Sequence, residues 1–576
     1  MCGIIAGAFF RTNAYSRGAV KEALQLLQHR GPDSNHAIYD KNSFIGHTRL
    51  SIVGLANGNQ PLSNEDSTIQ ASVNGEFYRT ENIRESLERK GHVFSTSSDS
   101  EILIHLYEER GIQALEELEG EFAFVIIDKR KNLLFAARDR FGIRPLYYAQ
   151  TKEGLVLGSE EQSVAKLANI PLVIDTDTLV FSSCFQYHEP GRTWIKGVKS
   201  LEASEYLILK DKELIKQTYW KLPPFGTEII TDQEIAAAIN IAITKRIPKE
   251  VPACIHLSGG LDSSIVAAES RLPAYSIAFQ RQEYSELNLA WATANSLDIP
   301  LTAISIGESE ISNIFHEAAR HNKAPFINHH LAAKFILSRQ INKSGYKVAI
   351  TGEGADELFI GYDHFRANQP QKPDFSVIGI HTPSAPVPSH ISHLPLWAQT
   401  KFLMLAPIRR ILGIDNELEA LQIEKFRASI SCLANQEVDS WIKYSLQTYI
   451  LRSLDDRMGM AHSVESRIPF LDHKLWELVR QAPLISHEGT QSKPILRRIY
   501  QPRLPASVIA NNKHPFMAPP ISNIFSSAKL GLYSAYGSTQ MSKKELDSLF
   551  EAPDTPANSA ALTYLLSLNI LTGILE

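Results

Sequence analysis

Two stretches of this chain have the residue types and spacing to do chemistry. The first is its start, Met1-Cys2-Gly3-Ile4-Ile5-Ala6-Gly7-Ala8-Phe9, an apolar strand with a cysteine at position two. If Met1 is removed, the α-amine of Cys2 (roughly 7.7–8.0) is matched to take the proton of its own thiol (about 8.5). Nucleophile and base would then come in one residue. A cysteine buried in a strand fits the same residues equally well. The second stretch is Ala253-Cys254-Ile255-His256-Leu257 followed by Ser258-Gly259-Gly260-Leu261-Asp262-Ser263-Ser264. It reads as a buried strand, a tight turn and a helix starting near Ser263. Glycines let the backbone approach a ligand. Backbone N–H groups at the helix start, with the Ser258, Ser263 and Ser264 hydroxyls, offer donors to an anion. No Gly-Lys-Ser/Thr follows, so this is not a Walker A loop. Asp262 would repel a phosphate unless a cation sat between them, and Mg²⁺ held by carboxylates plus phosphates meets that need. A second strand, turn and acidic helix start runs from Lys347 to Glu357 as KVAITGEGADE. Acids at a helix start are favoured by the helix dipole alone. Taken with the first loop, Asp356 is the expected second metal ligand.

The chain has 576 residues, enough for two or more domains. Charged residues are 21%, hydrophobic 44%, and net charge −5, so nothing suggests nucleic acid as a partner. Cys2, Cys184, Cys254 and Cys432 lie far apart without a Cys-x-x-Cys, which argues against a zinc site or disulfide framework and for the cytoplasm. No signal peptide is legible. The apolar stretch from Ala560 to Leu575 is interrupted by Thr563, Ser567, Asn569, Thr572 and Gly573, and reads as a packing helix rather than a membrane span.

Further candidates follow in the N-terminal part. Arg49 can clamp a carboxylate bidentately. In Ser72-Val73-Asn74-Gly75-Glu76-Phe77, the Asn74 amide and Gly75 N–H can form an oxyanion hole, or the pair can be a plain Asn-Gly turn. Ser98-Asp99-Ser100-Glu101 before Ile102 reads as a capping box opening a helix, with Asp99 available to a ligand amine.

Met1-Cys2-Gly3-Ile4, Arg30-Gly31-Pro32-Asp33, Arg49-Leu50-Ser51-Ile52, Asn74-Gly75-Glu76, Ser98-Asp99-Ser100-Glu101 and the run from Ala137 to Tyr148, ARDRFGIRPLYY, together resemble the N-terminal-nucleophile glutaminase domain of class II glutamine amidotransferases. Ser-Gly-Gly-x-Asp-Ser after an apolar strand resembles the pyrophosphate loop of enzymes that cleave ATP between its α and β phosphates. In this order the two resemble glutamine-dependent asparagine synthetases over nearly the whole chain. The resemblance implies an αββα glutaminase domain over residues 2–215. It also implies a doubly wound, parallel-sheet ATP-pyrophosphatase domain with helical additions over 226–576, after a Pro223-Pro224-Phe225-Gly226 linker. Strand–helix alternation from Thr231 to Ile350 fits the second fold independently.

By motif match the resemblance implies Cys2 as nucleophile with its free α-amine as base. Arg49 would hold the glutamine carboxylate, with Leu50, Val53, Asn74, Gly75, Glu76 and Asp99 completing the pocket. It places Leu257, Ile277, Thr351, Gly352 and Glu353 around ATP, Asp262 and Asp356 at Mg²⁺–pyrophosphate, and Lys493 as a catalytic lysine. The segment from Asp456 to Asp472 resembles the family's acceptor-site segment, and the proline-rich stretch 369–389 reads as a loop. Three departures from the family pattern are visible. Ile360 stands where a Gly is usual, Leu201-Glu202-Ala203-Ser204 replaces a Pro/Gly turn, and Lys513-His514-Pro515-Phe516-Met517-Ala518-Pro519-Pro520 replaces Lys-x-Gly-Phe. The last variant resembles members that amidate carboxylates in specialised metabolism.

The expected function is therefore glutamine-dependent amidation of an ATP-activated carboxylate, with L-aspartate as default acceptor and another biosynthetic carboxylate as the first rival. A non-catalytic glutamine or ATP sensor is the rival from another class. Expected partners are the small-molecule substrates, with neither nucleic acid nor membrane, and a homodimer is left open.

Overall fold

The computed structural model is described here over residues 2–280, 285–365, 387–484, 491–511 and 556–575. The stretch 366–386, which holds most of the proline-rich loop, and the Lys513–Pro520 variant lie outside these residues.

The N-terminal part is two stacked antiparallel sheets. In the first, strand Gly3–Phe9 lies between Gly154–Gly158 and Ser43–Arg49, with Lys199–Ser200, Tyr147–Gln150 and Ser34–Tyr39 completing the order. In the second, Ile69–Phe77 pairs with Gly120–Asp128, and the sheet runs on through Leu133–Arg138 and Glu205–Lys210 to Glu213–Thr218. Inward-facing residues of both sheets share a core that includes Ile4, Ala6, Ile45, Val125, Ile127 and Ala136. Alternation along each strand sends the other set outward. Ile5 and Phe44 meet Val20, Leu24 and Val164 of helices Arg17–Leu26 and Glu161–Ala168. On the far side Val73, Phe122 and Phe124 meet Ile102, Leu103 and Leu106. This is the αββα sandwich.

The C-terminal part is organised on five parallel strands in the order Leu301–Ile306, Ala274–Phe279, Ala253–His256, Val348–Ile350, Glu465–Arg467. Helices cover both faces. Asp232–Thr244, Leu261–Ser270 and Leu287–Leu297 pack in one cluster with Ile255 and Ile350, while Glu308–Asn322 and His330–Lys343 pack with Phe279 and Ile306 in another. The chain winds outward from Ala253–His256 in one direction, then returns to place Val348–Ile350 on its other flank. The loops after these two neighbouring strands, Leu257–Gly260 and Thr351–Gly354, therefore open at the point where the strand order reverses, the usual ligand crevice of such sheets.

The helix Ala557–Leu575 is long and apolar enough to cross a membrane, yet 56% of its most apolar window is buried within the fold. Leu562, Leu565 and Leu566 share a core with Phe326, Phe335 and Met404, and Phe326 N–H donates to Ser567 Oγ at 3.0 Å.

Candidate active sites

Cys2 lies just before the interior strand Gly3–Phe9 of the first sheet, 8% exposed. Its N–H donates to Asn74 Oδ1 at 2.9 Å, and its Sγ faces Leu50 O at 3.9 Å. Burial pushes the thiol pKa up, so the resting group is the neutral thiol. With Asn74 Oδ1 committed to Cys2, the amide Nδ2 is turned the other way, buried and without a partner among the described residues. An unpaired buried amide donor is costly unless a ligand accepts from it.

Asn74 and Gly75 do not form a turn. They sit inside strand Ile69–Phe77, opposite Ala123 and Phe122. Gly75 has φ +142°, and a Cβ there would run into the Glu121 carbonyl oxygen, so only glycine lets this strand bend past its neighbour.

Arg49, 6% exposed, is held by three acceptors: Asn59 Oδ1 at 3.0 Å, Val53 O at 3.2 Å and Gly54 O at 2.7 Å. Val53 thus contributes its carbonyl. Asp99 accepts from Phe77 N–H at 2.7 Å, and burial raises its pKa to about 6. Glu76 pairs with Arg467, but burial, with Asp99 and Glu465 nearby, outweighs that cation and raises it to about 8.

The expected capping box is not formed. Ser98 Oγ accepts from Ser100 N–H rather than from Glu101. The Glu101 carboxylate instead takes the N–H and hydroxyl of both Ser95 and Thr96 at 2.6–2.8 Å. Four local donors outcompete the single N–H a capping box offers, and the segment starts as a 3₁₀ turn.

At the second site, Gly259 has φ +93°, and a Cβ would press on Ala290 N and Glu286 O. Ser258 Oγ lies 3.1 Å from Ser263 Oγ and accepts from Gly260 N–H at 3.2 Å. Ser264 differs from the sequence expectation. Its hydroxyl faces Thr293 Oγ1 at 3.1 Å and is fully buried, because the helix begins at Leu261 and turns position 264 into the core. Gly352 fits against the Ser263 N–H and Asp262 Cβ, where a side chain would crowd the two loops. Leu257 and Thr351 are each 1% exposed at the ends of the adjoining strands. Ile277, on Ala274–Phe279, packs against the cluster that holds Cys254 and Leu337.

Lys493 brings the acidic residues together. Its Nζ donates to Asp262 at 2.6 and 2.5 Å and to Asp356 at 2.6 Å, with the side chain 2% exposed. Two carboxylates converging on one cationic centre are the donor set a divalent ion takes. Gly361 makes this possible, since a Cβ there would overlap both Asp356 Oδ1 and Lys493 Cε. The neighbouring Ile360 is fully buried at φ +54°. A β-branched side chain in that region costs roughly 1–2 kcal/mol, and this is the position where the family pattern has glycine. Ser204, the end of the other departure, likewise sits at φ +57°.

A second buried ionic group adjoins this one and was not singled out from the sequence. Lys334 Nζ reaches Asp455 at 3.0 Å, His256 Nδ1 at 3.0 Å and Glu353 at 3.4 Å. Burial pushes Asp455 up to about 7, with Glu353 adding to it. Burial would raise Glu353 too, but Lys334 holds it below the usual carboxylate range. A lysine inside the apolar helix run Leu331-Ala332-Ala333-Lys334-Phe335-Ile336-Leu337 was the available signal.

The segment 456–472 joins the two halves. Asp456 takes a bidentate pair from Arg30 at 2.7 and 2.9 Å, and Arg457 donates twice to Glu161 at 2.7 Å. Ser463 Oγ donates to His29 O at 2.7 Å, Arg144 to Ser466 O at 3.0 Å, and Ile468 N–H to Glu121 Oε1 at 3.0 Å. Arg467 pairs with Glu76 inside the first pocket. Beside these polar contacts, Leu50 and Ile52 form a common apolar cluster with Ala253, Val348 and Met460. The wall behind Cys2 is thus continuous with the strand that carries the second site.

The comparisons with known proteins agree with this layout. Residues 1–220 match the glutamine amidotransferase domain family and residues 234–552 the asparagine synthase family. Asparagine synthetase [glutamine-hydrolyzing] 1 of Bacillus subtilis is 30% identical over 560 residues, covering 90% of this chain and 87% of that protein. Amidase chyE of Penicillium rubens is also 30% identical, over 90% of this chain and 89% of its own length. Amidase chry2 of Gibberella zeae is 28% identical over the same shares. With both domains matched in order and relatives aligned along nine-tenths of its length, the chain belongs to the glutamine-hydrolysing asparagine synthetase family of ligases.

Proposed function

We propose that the chain hydrolyses glutamine at Cys2 and uses the ammonia to convert an ATP-activated carboxylate into an amide. The observation that supports this reading best is the pairing of an unsatisfied Asn74 Nδ2 beside Cys2 with the Asp262–Lys493–Asp356 cluster, joined by one buried segment.

At the first site, removal of Met1 frees the Cys2 amine. That amine takes the thiol proton, and the thiolate attacks the glutamine side-chain carbonyl. Asn74 Nδ2–H and the Gly75 N–H stabilise the oxyanion. The ammonium of Cys2 returns its proton to the departing nitrogen, ammonia leaves, and water hydrolyses the thioester to glutamate. Arg49 holds the substrate α-carboxylate with Leu50, Val53 and Glu76 around it, and Asp99 takes the α-ammonium.

At the second site, Ser258, Gly259, Gly260 and Ser263 offer donors to the phosphates, and Leu257, Ile277, Thr351 and Gly352 border the nucleoside. Ser264 takes part through its backbone alone. Asp262 and Asp356 fit Mg²⁺, which would neutralise charge on the pyrophosphate when bound. The acceptor carboxylate attacks the α-phosphorus and pyrophosphate leaves. Lys493 stabilises the charge building on the phosphates. Ammonia then attacks the acyl carbon and AMP departs. The Glu353–Lys334–Asp455 group is placed to take the proton that the adding ammonia must lose. Because free ammonia is mostly protonated at neutral pH, passing it along the apolar seam at Leu50, Val348 and Met460 keeps it reactive.

L-aspartate is the default acceptor. Amidation of another carboxylate is the second reading, favoured by the two amidases among the relatives and by Ile360 and Lys513–Pro520, where the chain leaves the family pattern. Pyrophosphate release with Mg-ATP and glutamine, with and without L-aspartate, followed by mass analysis of the product, tests both. Aspartate-dependent pyrophosphate with asparagine supports the default. Glutamate release with aspartate-independent pyrophosphate, or none, tells against it.

A further inference from the structure

This inference rests on the amidation reading and concerns which acids are amidated. Several lysines around the synthetase site are matched by carboxylates: Lys493 by Asp262 and Asp356, Lys334 by Asp455 and Glu353, Lys323 by Glu160. Lys401, on helix Leu396–Met404, is the exception. It is partly buried and has no carboxylate within ion-pair distance among the described residues. Its Nζ lies 6.0 Å from the centre of the Tyr187 ring. Burial alone, with no anion to offset it, pulls its pKa down to about 8. Taking an ammonium out of water without a counter-ion is unfavourable, so such a group is poised for an anion that arrives with a ligand.

The surroundings connect Lys401 to the reacting end. His364 lies close enough to feel both the Lys401 and the Asp356 charges, and its Nε2 is buried without a partner among the described residues. It stacks on Tyr362 at 5.3 Å between centroids and meets Trp441 at 4.8 Å. Trp441 Nε1 donates to Glu357 Oε1 at 2.9 Å, next to Asp356 in the chain. An aromatic run therefore leads from the phosphate end of the site to a cation that has no carboxylate partner among the described residues, with an imidazole nitrogen along it that has none either.

We propose that Lys401 binds a second anionic group of the acceptor, remote from the carboxylate that is adenylated, so that the enzyme selects dianionic acids. The body of the acceptor lies along Tyr362, His364 and Trp441. An acid without a remote anion leaves the Lys401 charge uncompensated and is discriminated against on that account.

The test drives the second site with ammonium chloride, which bypasses glutamine hydrolysis. Pyrophosphate release is measured with Mg-ATP and L-aspartate, succinate or phthalate, and with the counterparts lacking one carboxyl, β-alanine, propanoate and benzoate. Release is expected with at least one diacid and not with its monoacid counterpart. K401M raises KM for that diacid about 10- to 100-fold with a smaller change in kcat, and K401R recovers most of the loss. Glutamate release and KM for ATP stay at wild-type values in both variants. A wild-type KM for the diacid in K401M, or a monoacid used as well as its diacid, overturns the proposal while leaving amidation standing. Pyrophosphate release with none of the three diacids overturns this inference, while pyrophosphate release that yields no amide with ammonium overturns the amidation reading.

Discussion

The two sites are built on opposite plans. Around Cys2, the groups proposed to recognise glutamine are held by their neighbours before any ligand arrives: Arg49 by three acceptors, Asp99 by the Phe77 N–H, Asn74 by the Cys2 N–H. The buried Asn74 Nδ2 has no partner among the described residues. At the proposed nucleotide site the charges are matched to one another, Lys493 with two aspartates and Lys334 with Asp455 and Glu353. Lys401, which has no carboxylate partner among the described residues, lies on helix Leu396–Met404, away from the phosphate loops. A site for one fixed substrate can be fully pre-organised. A site that must take different acceptors in different relatives keeps its common chemistry in contiguous motifs and puts selection on residues scattered through helical additions.

The comparison can be broken from either side. The largest effect is expected for Lys493→Met, which removes the cation that Asp262 and Asp356 share and the positive charge facing the phosphates. Pyrophosphate release should fall by about 10²–10³-fold or more while glutamate release continues. Parallel loss of both would show that the sites are not separable. Gly75→Ala comes next. The added methyl meets the Glu121 carbonyl at a backbone angle that only glycine takes easily. Glutamate release should drop by about 10²-fold with ammonium-driven pyrophosphate release spared, and wild-type glutaminase kinetics in G75A would refute the oxyanion role. Arg30→Met tests the seam. It removes the bidentate pair to buried Asp456, so more glutamate should form per pyrophosphate released, by a few-fold, because ammonia escapes. An unchanged ratio would mean the pair only stabilises the fold.

The smallest effect is the pH dependence of glutamine recognition. Burial raises Asp99 to about 6. Above that pH the carboxylate is charged and can hold the α-ammonium; below it the group is neutral. KM for glutamine should therefore rise as pH falls through about 6, and Asp99→Asn should remove that rise while carrying a high KM throughout.

What could be read from the chain depended on how local the feature is. The loop at Ser258–Ser263 was legible because strand, glycine turn and helix are consecutive. The αββα and parallel-sheet folds were legible because the motifs stand in family order. Whether Asn74-Gly75 was a turn could not be decided locally, since pairing with Phe122 and Ala123 settles it. The capping box failed because Glu101 found four better donors upstream, and Ser264 was misread because its direction depends on where the helix starts. Lys334 with Asp455, Arg30 with Asp456 and the isolation of Lys401 join or separate residues more than a hundred positions apart, and nothing in their own neighbourhoods announces it.

In the proposed reaction one chain releases ammonia at Cys2 and consumes it at the Asp262–Asp356–Lys493 site. The most direct measurement is product formation by Cys2→Ala with each nitrogen donor in turn, using Mg-ATP and an accepted carboxylate. No amide is expected from glutamine, and near wild-type amide and pyrophosphate from ammonium chloride. Equal loss with both donors, or glutamine-driven amide surviving in C2A, would contradict that reaction.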